Sequence, residues 1–260
     1  MRHESQTPRK PHCSPRRLPL GRSRFSRETP LTADSSFAAD AARTTARILL
    51  EIAAVHFRPQ QPFILTSGRA SPVYIDCRKI ISFPRARRKI MELAVGLIER
   101  EVGFESLDAV AGGETAGIPF AAWIADLLDL PMLYIRKKPK GFGRGAQIEG
   151  DMKAGARCLL VEDLATDGGS KVNFVNAIRD GDGQIAHAFV VFHYGIFPQS
   201  LETLGKLGVK LHGLATWWDM LETAKATGLL SGPDATEVRA FLENPEGWSS
   251  AHGGKVAAQG

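Results

Sequence analysis

From Asp34 to His56 the apolar positions Ala38, Ala42, Ile48, Leu49, Ile52 and Val55 recur at helical spacing, which predicts an amphipathic opening helix. Beyond it, Phe63–Thr66 and Val73–Arg78 read as two strands paired around the turn-rich link Ser-Gly-Arg-Ala-Ser-Pro. Pro84 starts a second helix, whose buried stripe is Ile90, Leu93, Ala94, Leu97 and Ile98. The pattern then changes. Short apolar runs at Leu107–Ala111, Met132–Ile135, Cys158–Val161, Ala186–Phe192 and Val209–Leu214 alternate with helical segments. Continuous apolar strands separated by helices predict an α/β domain, a parallel sheet with helices on both faces. Ligands of such sheets gather at the carboxyl ends of the strands, so the loops that follow them are where chemistry is expected. Pro233–Asn244 reads as a last helix, and Pro245–Gly260, rich in Gly, Ala and Ser, reads as frayed. The expected organisation is a tail at 1–33, one domain at 34–230, and a terminal helix with frayed end at 231–260.

Charge changes this picture only at the amino terminus. The 260 residues carry a net charge of +5, but Met1–Pro30 holds eight Arg and Lys against two Glu, so the rest of the chain is near neutral. A basic balance confined to a Pro/Ser/Arg-rich tail predicts solvated disorder and no nucleic-acid partner for the folded domain. The tail lacks the central apolar run of a secretory signal. No stretch approaches the roughly 18 uninterrupted apolar residues of a membrane-spanning helix, so no membrane partner is expected. Cys13, Cys77 and Cys158 are odd in number and have no metal-ligand spacing, which points to a reducing, cytoplasmic setting.

The most informative segment is Leu159-Leu160-Val161-Glu162-Asp163-Leu164-Ala165-Thr166-Asp167-Gly168-Gly169-Ser170, an apolar strand that runs into two acids and a small-residue turn before a helix. Adjacent carboxylates at a strand end can accept hydrogen bonds from vicinal sugar hydroxyls and offset positive charge developing on a ribose ring. The turn lets backbone N–H groups point inward, and the following helix N-terminus favours an anion such as phosphate. A plain helix cap would explain Asp167 or Ser170, but not the acid pair with the glycines. A second segment, Tyr134-Ile135-Arg136-Lys137-Lys138-Pro139-Lys140-Gly141-Phe142-Gly143-Arg144-Gly145, mixes cations with glycines after a strand. Such a loop can close over a pyrophosphate leaving group, neutralise it and exclude water.

The first segment resembles the 5-phosphoribosyl-1-diphosphate (PRPP) motif of type I phosphoribosyltransferases, with Glu162 where Asp is more usual. The second is similar to the catalytic loop of orotate phosphoribosyltransferases, specifically in Arg136-Lys137-x-x-Lys140. Phe63–Tyr74 resembles that family's substrate loop, and Ala111–Ala121 its pyrophosphate loop. The four segments occur in the family's order.

The resemblance implies a type I phosphoribosyltransferase fold with a small hood-like amino-terminal element, and the joining of orotate to PRPP to give orotidine 5′-monophosphate and pyrophosphate. It implies catalytic roles for Lys140, Glu162 and Asp163. Thr66, Ser67, Gly68, Arg136, Lys137, Thr166, Asp167, Gly168, Gly169 and Ser170 are the implied substrate contacts. Magnesium is the implied cofactor, with ligands unassigned, and a homodimer with shared sites the implied assembly. The chain departs from the pattern at Thr66, Ala116 and Phe142, where several members carry Lys, Lys and His. It also has His193 where an Arg is expected to hold the orotate carboxylate. Two alternatives therefore stand beside this reading: a phosphoribosyltransferase for another base, and a catalytically silent PRPP-sensing regulator, which would have little use for the Lys140 lid.

Overall fold

The computed structural model describes residues 31–141, 147–166 and 168–255. The expected basic tail, Phe142 and Asp167 lie outside them. Helix α1 (Leu31–Glu51) leads into strand β1 (Val55–Phe57). The helix expected to reach His56 stops five residues earlier, because Ala53 takes a positive φ of 52° and turns the chain. Val55 consequently sits in a strand. The two strands expected to pair with each other also find other partners. Strand β2 (Phe63–Ile64) pairs antiparallel with β3 (Ala70–Ser71), whereas β4 (Val73–Ile75) pairs antiparallel with β1. A tight turn explains the change: Leu65 N–H donates to Arg69 O at 2.9 Å, and Gly68 N–H to Leu65 O at 2.7 Å, closing a hairpin too short to reach Val73.

A 3₁₀ turn (Cys77–Ser82) and helix α2 (Pro84–Glu101), with Pro84 in its first turn, precede the main sheet. That sheet contains β5 (Ala109–Gly113), β6 (Met132–Ile135), β7 (Ile148–Glu149), β8 (Arg157–Ala165), β9 (Gln184–His193) and β10 (Lys210–Thr216) in the order β10-β9-β8-β5-β6-β7. All neighbours are parallel except the edge pair β6–β7. Helix α3 (Gly117–Leu127) packs with α2 on one face, and α4 (Gly169–Asp180) with α5 (Gln199–Lys206) on the other. Strand alternation divides the core accordingly: Val110, Leu159, Val161, Phe189 and Val191 face the first layer, and Ala111, Cys158, Leu160 and Ala188 the second. The expected parallel sheet covered on both faces is thus present, and the carboxyl ends of β5, β6, β8 and β9 share one edge.

The end of the chain differs from expectation. After α6 (Trp217–Ala226) and α7 (Gly232–Glu243), the segment expected to fray forms helix α8 (Pro245–Ala251). Asn244 caps it by accepting Gly247 N–H at 3.0 Å. Trp248 anchors it: the ring is 6% exposed, lies 5.5 Å from Phe241 edge to face, and donates Nε1–H to Glu237. Phe241, Leu242 and Trp248 belong to the same apolar core as α1 and α2, so no packing boundary falls at residue 230. These helices and the sheet belong to one compact unit that begins at Thr32. Trp248→Ala should therefore cost about 3–5 kcal/mol in a denaturant melt, the usual loss for a buried aromatic; a frayed terminus would cost nothing.

Candidate active site

The acid pair lies inside β8, not at the turn after it. The ladder with β9 continues past both acids, matching Glu162 to Val190, Leu164 to Phe192 and Ala165 to His193. Adjacent strand residues point to opposite faces. Glu162 accordingly faces α4 and Phe174, while Asp163 faces Cys77 and Arg78, whose charges it perturbs. The acids, expected at the strand end, thus sit within the ladder and on opposite faces of the sheet.

Glu162 is 8% exposed. It fits there because its neighbours have no side chains. A Cβ on Gly113 would collide with Glu162 Oε1, and one on Gly117 with Val161 O. The glycines of Ala111–Ala121 therefore clear space for a carboxylate at the sheet edge. Its Oε1 has no hydrogen-bond partner among the described residues. Burial, only partly offset by the nearby Lys171 ammonium, pushes the Glu162 carboxyl up to about 7. Asp163 is raised in the same way, again with burial leading and Lys171 opposing.

A cleft of about 730 Å³ opens over Glu162, lined also by Arg78, Glu114, Thr115, Ala116 and Lys137. Its wall is rigid where the pyrophosphate-like loop meets the cationic loop. Glu114 N–H donates to Ile135 O at 2.8 Å, Lys137 N–H to Glu114 Oε2 at 2.7 Å, and Asn173 Nδ2 to Lys137 O at 3.1 Å. Arg136 reaches Glu149 Oε1 at 3.2 Å, and Lys140 Nζ lies 3.8 Å from the same oxygen. Lys140, its side chain 71% exposed, and Arg136 both point to Glu149 and do not line the cleft over Glu162, and residues 142–146 of the loop lie outside the described residues.

The turn after β8 carries Thr166 and Gly168, and Gly168 takes φ +82° to enter α4. Gly169 and Ser170 open the helix, so their N–H groups are at its positive end. Thr66, Ser67 and Gly68 form the β2–β3 hairpin and do not line the cleft over Glu162.

Two cations escaped the sequence reading. Lys171 is 2% exposed and donates Nζ–H to Leu164 O at 2.8 Å, close enough to both acids to act on each. Arg78, braced by Asp76 at 2.8 Å, reaches the cleft beside Ala116, where the family pattern has a Lys. Neither belongs to a recognisable spacing; a basic residue directly after Gly-Gly-Ser was the only signal for the first. His193 Nε2 is 2.8 Å from Ser200 Oγ, whose hydroxyl also donates to Phe197 O. Burial, with the Lys171 charge adding to it, lowers the His193 pKa.

The raised Glu162 pKa has a definite sign. Because the folded state holds this proton more tightly than the unfolded chain, the penalty is absent below about pH 4.5, grows with pH, and is complete above about pH 7. Glu162→Gln should therefore be more stable than the parent at pH 8, by up to about 3 kcal/mol, with no gain at pH 4. Paired denaturant melts at the two pH values measure the difference.

Residues 79–196 match the phosphoribosyl transferase domain model. The chain is 58% identical over 210 residues to an orotate phosphoribosyltransferase of Cereibacter sphaeroides, covering 81% of this chain and 90% of that one. It is 56% identical to the Roseobacter denitrificans counterpart, over 83% of this chain and 96% of the relative. Among solved structures, the orotate phosphoribosyltransferase of Aeropyrum pernix is similar at a TM-score of 0.59 and 29% identity, over 70% of this chain and 99% of that one. At this identity over most of both chains, the chain belongs to the orotate phosphoribosyltransferases.

Proposed function

We propose that this chain transfers the phosphoribosyl group of PRPP to orotate, yielding orotidine 5′-monophosphate and pyrophosphate. The observation that carries the reading is Glu162, a buried carboxylate with an unpaired oxygen facing a cleft that also receives Lys137 and Arg78. The bond between the anomeric carbon and the diphosphate oxygen breaks, a bond to a ring nitrogen of orotate forms, and that nitrogen gives up its proton. Positive charge on the sugar is offset by Glu162 and Asp163. Thr166–Ser170 and the amino end of α4 receive the 5′-phosphate. Lys137 and Arg136 take up charge on the departing diphosphate, and Lys140, carried on the exposed lid, does so in the partner subunit's site. Thr66, Ser67 and Gly68 contact the base, where backbone N–H groups of the hairpin supply donors to the orotate carboxylate.

Magnesium supplies charge neutralisation of the diphosphate when bound. No group of three or more His, Cys, Asp or Glu capable of holding a metal occurs among the described residues. The unpaired Oε1 of Glu162 at the cleft fits a magnesium ion that would be held mainly by substrate oxygens, with this carboxylate as the chain's contribution. The assembly we propose is a homodimer in which the lid of one subunit serves the site of its partner. No helix among the described residues is long and apolar enough to cross a membrane, and a cytoplasmic setting is the corresponding proposal.

The test is pyrophosphate release from PRPP and magnesium with orotate, uracil or a purine base offered singly. Turnover with orotate alone is expected; turnover with another base, or with none, contradicts the reading. In the active enzyme, Lys140→Ala should lower kcat by about two powers of ten while PRPP affinity changes much less. Weakened PRPP binding at unchanged kcat would show that Lys140 serves only the ground state.

A further inference from the structure

The β2–β3 hairpin is too short to hold itself: each strand has two residues, and Ile64 is 63% exposed. It is held instead by the far end of the chain. Ser249 in α8 is 2% exposed and its Oγ accepts Ala70 N–H at 2.9 Å. Two residues past α8 the chain folds back, with Gly254 N–H donating to Ser249 O at 2.8 Å. Lys255 N–H then donates to Gly68 O at 2.9 Å. The stem of Lys255 covers Gly68 on the side where a Cβ would stand, 3.3 Å from both Lys255 Cβ and Cδ. Between these contacts, the Arg69 guanidinium lies 4.5 Å from the centre of the Phe197 ring and 3.8 Å from Glu246 of α8. Three consecutive hairpin residues are thus gripped by the carboxyl-terminal segment: Gly68 by its carbonyl, Arg69 by its side chain and Ala70 by its N–H.

We propose that Ser249 and Lys255 are positioning residues for base recognition: the segment from α8 to Lys255 is a strap that fixes the Thr66–Ala70 hairpin in its substrate-binding shape. The proposal rests on the reading above that this hairpin contacts the base. Backbone donors discriminate between ligands only while they are held in place, and a loop ordered in advance loses less freedom on binding. The two hydrogen bonds, at Gly68 O and Ala70 N–H, tie both sides of the turn to the carboxyl-terminal segment.

Steady-state kinetics on the full chain test the strap. Lys255→Pro deletes the donor to Gly68 O and Lys255→Ala keeps it. Lys255→Pro should raise the orotate KM about ten-fold, with the PRPP KM, kcat and Tm near parent values, and Ser249→Ala should raise it as much with a lowered Tm, because it leaves the buried Ala70 N–H without an acceptor. Lys255→Ala should keep the orotate KM within about two-fold. An unchanged orotate KM in Lys255→Pro, or a joint rise of both KM values with a lower Tm in that variant, overturns the proposal. Hydrogen exchange separates it from the reading beneath it. If orotate with pyrophosphate fails to protect the Thr66–Ala70 amides in the parent, the base contact itself is wrong and both fall. If protection is present and is the same in Lys255→Pro, the strap alone falls.

Discussion

A carboxylate that water would hold far more comfortably governs the carboxyl edge of this sheet. Glu162 points into a space that exists only because Gly113 and Gly117 carry no side chain, and its Oε1 finds no partner there. Desolvation of a charge is expensive unless something pairs with it. The nearest compensation comes from Lys171, itself buried and tied to Leu164 O, and from Lys137 across the cleft. The rest of the site is arranged around that imbalance: a fixed negative group, a helix amino terminus one turn further on, and cations at the rim. Such an arrangement is unfavourable for the empty protein and suited to a ligand bearing hydroxyls, phosphate and a developing positive charge.

Parallel topology makes the arrangement possible. With β5, β6, β8 and β9 running the same way, the glycine-rich loop, the cationic loop and the phosphate turn emerge at one edge from separate parts of the sequence. Strand alternation then separates the acids, giving Glu162 to the α4 side and Asp163 to the side of Cys77 and Arg78. The pair therefore does not act as a unit on one face.

Much of this was legible beforehand, and the exceptions have physical causes. The buried strands declare themselves as continuous apolar runs, and the acid pair, glycines and Lys140 loop stand out by residue type. Element ends were harder. Ala53 breaks α1 with a positive φ that no Gly or Pro announces. Strand β8 outlasts its apolar run because β9 supplies ladder partners as far as His193, a tertiary effect that overrides the polarity of Glu162 and Asp163. Helix α8 is stabilised by one tryptophan docking on Phe241, a long-range contact invisible in a seven-residue window. Lys171 and Arg78 become site residues only through folding, since nothing in their local spacing distinguishes them from surface cations.

The ionisation of the Glu162 side chain can be read directly by nuclear magnetic resonance. Titration of the Glu162 carboxyl carbon in the ligand-free protein, assigned by its disappearance in Glu162→Gln, should give a midpoint near pH 7. A midpoint at the ordinary glutamate value of about 4.3 would mean that the carboxylate is solvated. The glycine-cleared, partnerless site at the centre of this account would then not exist.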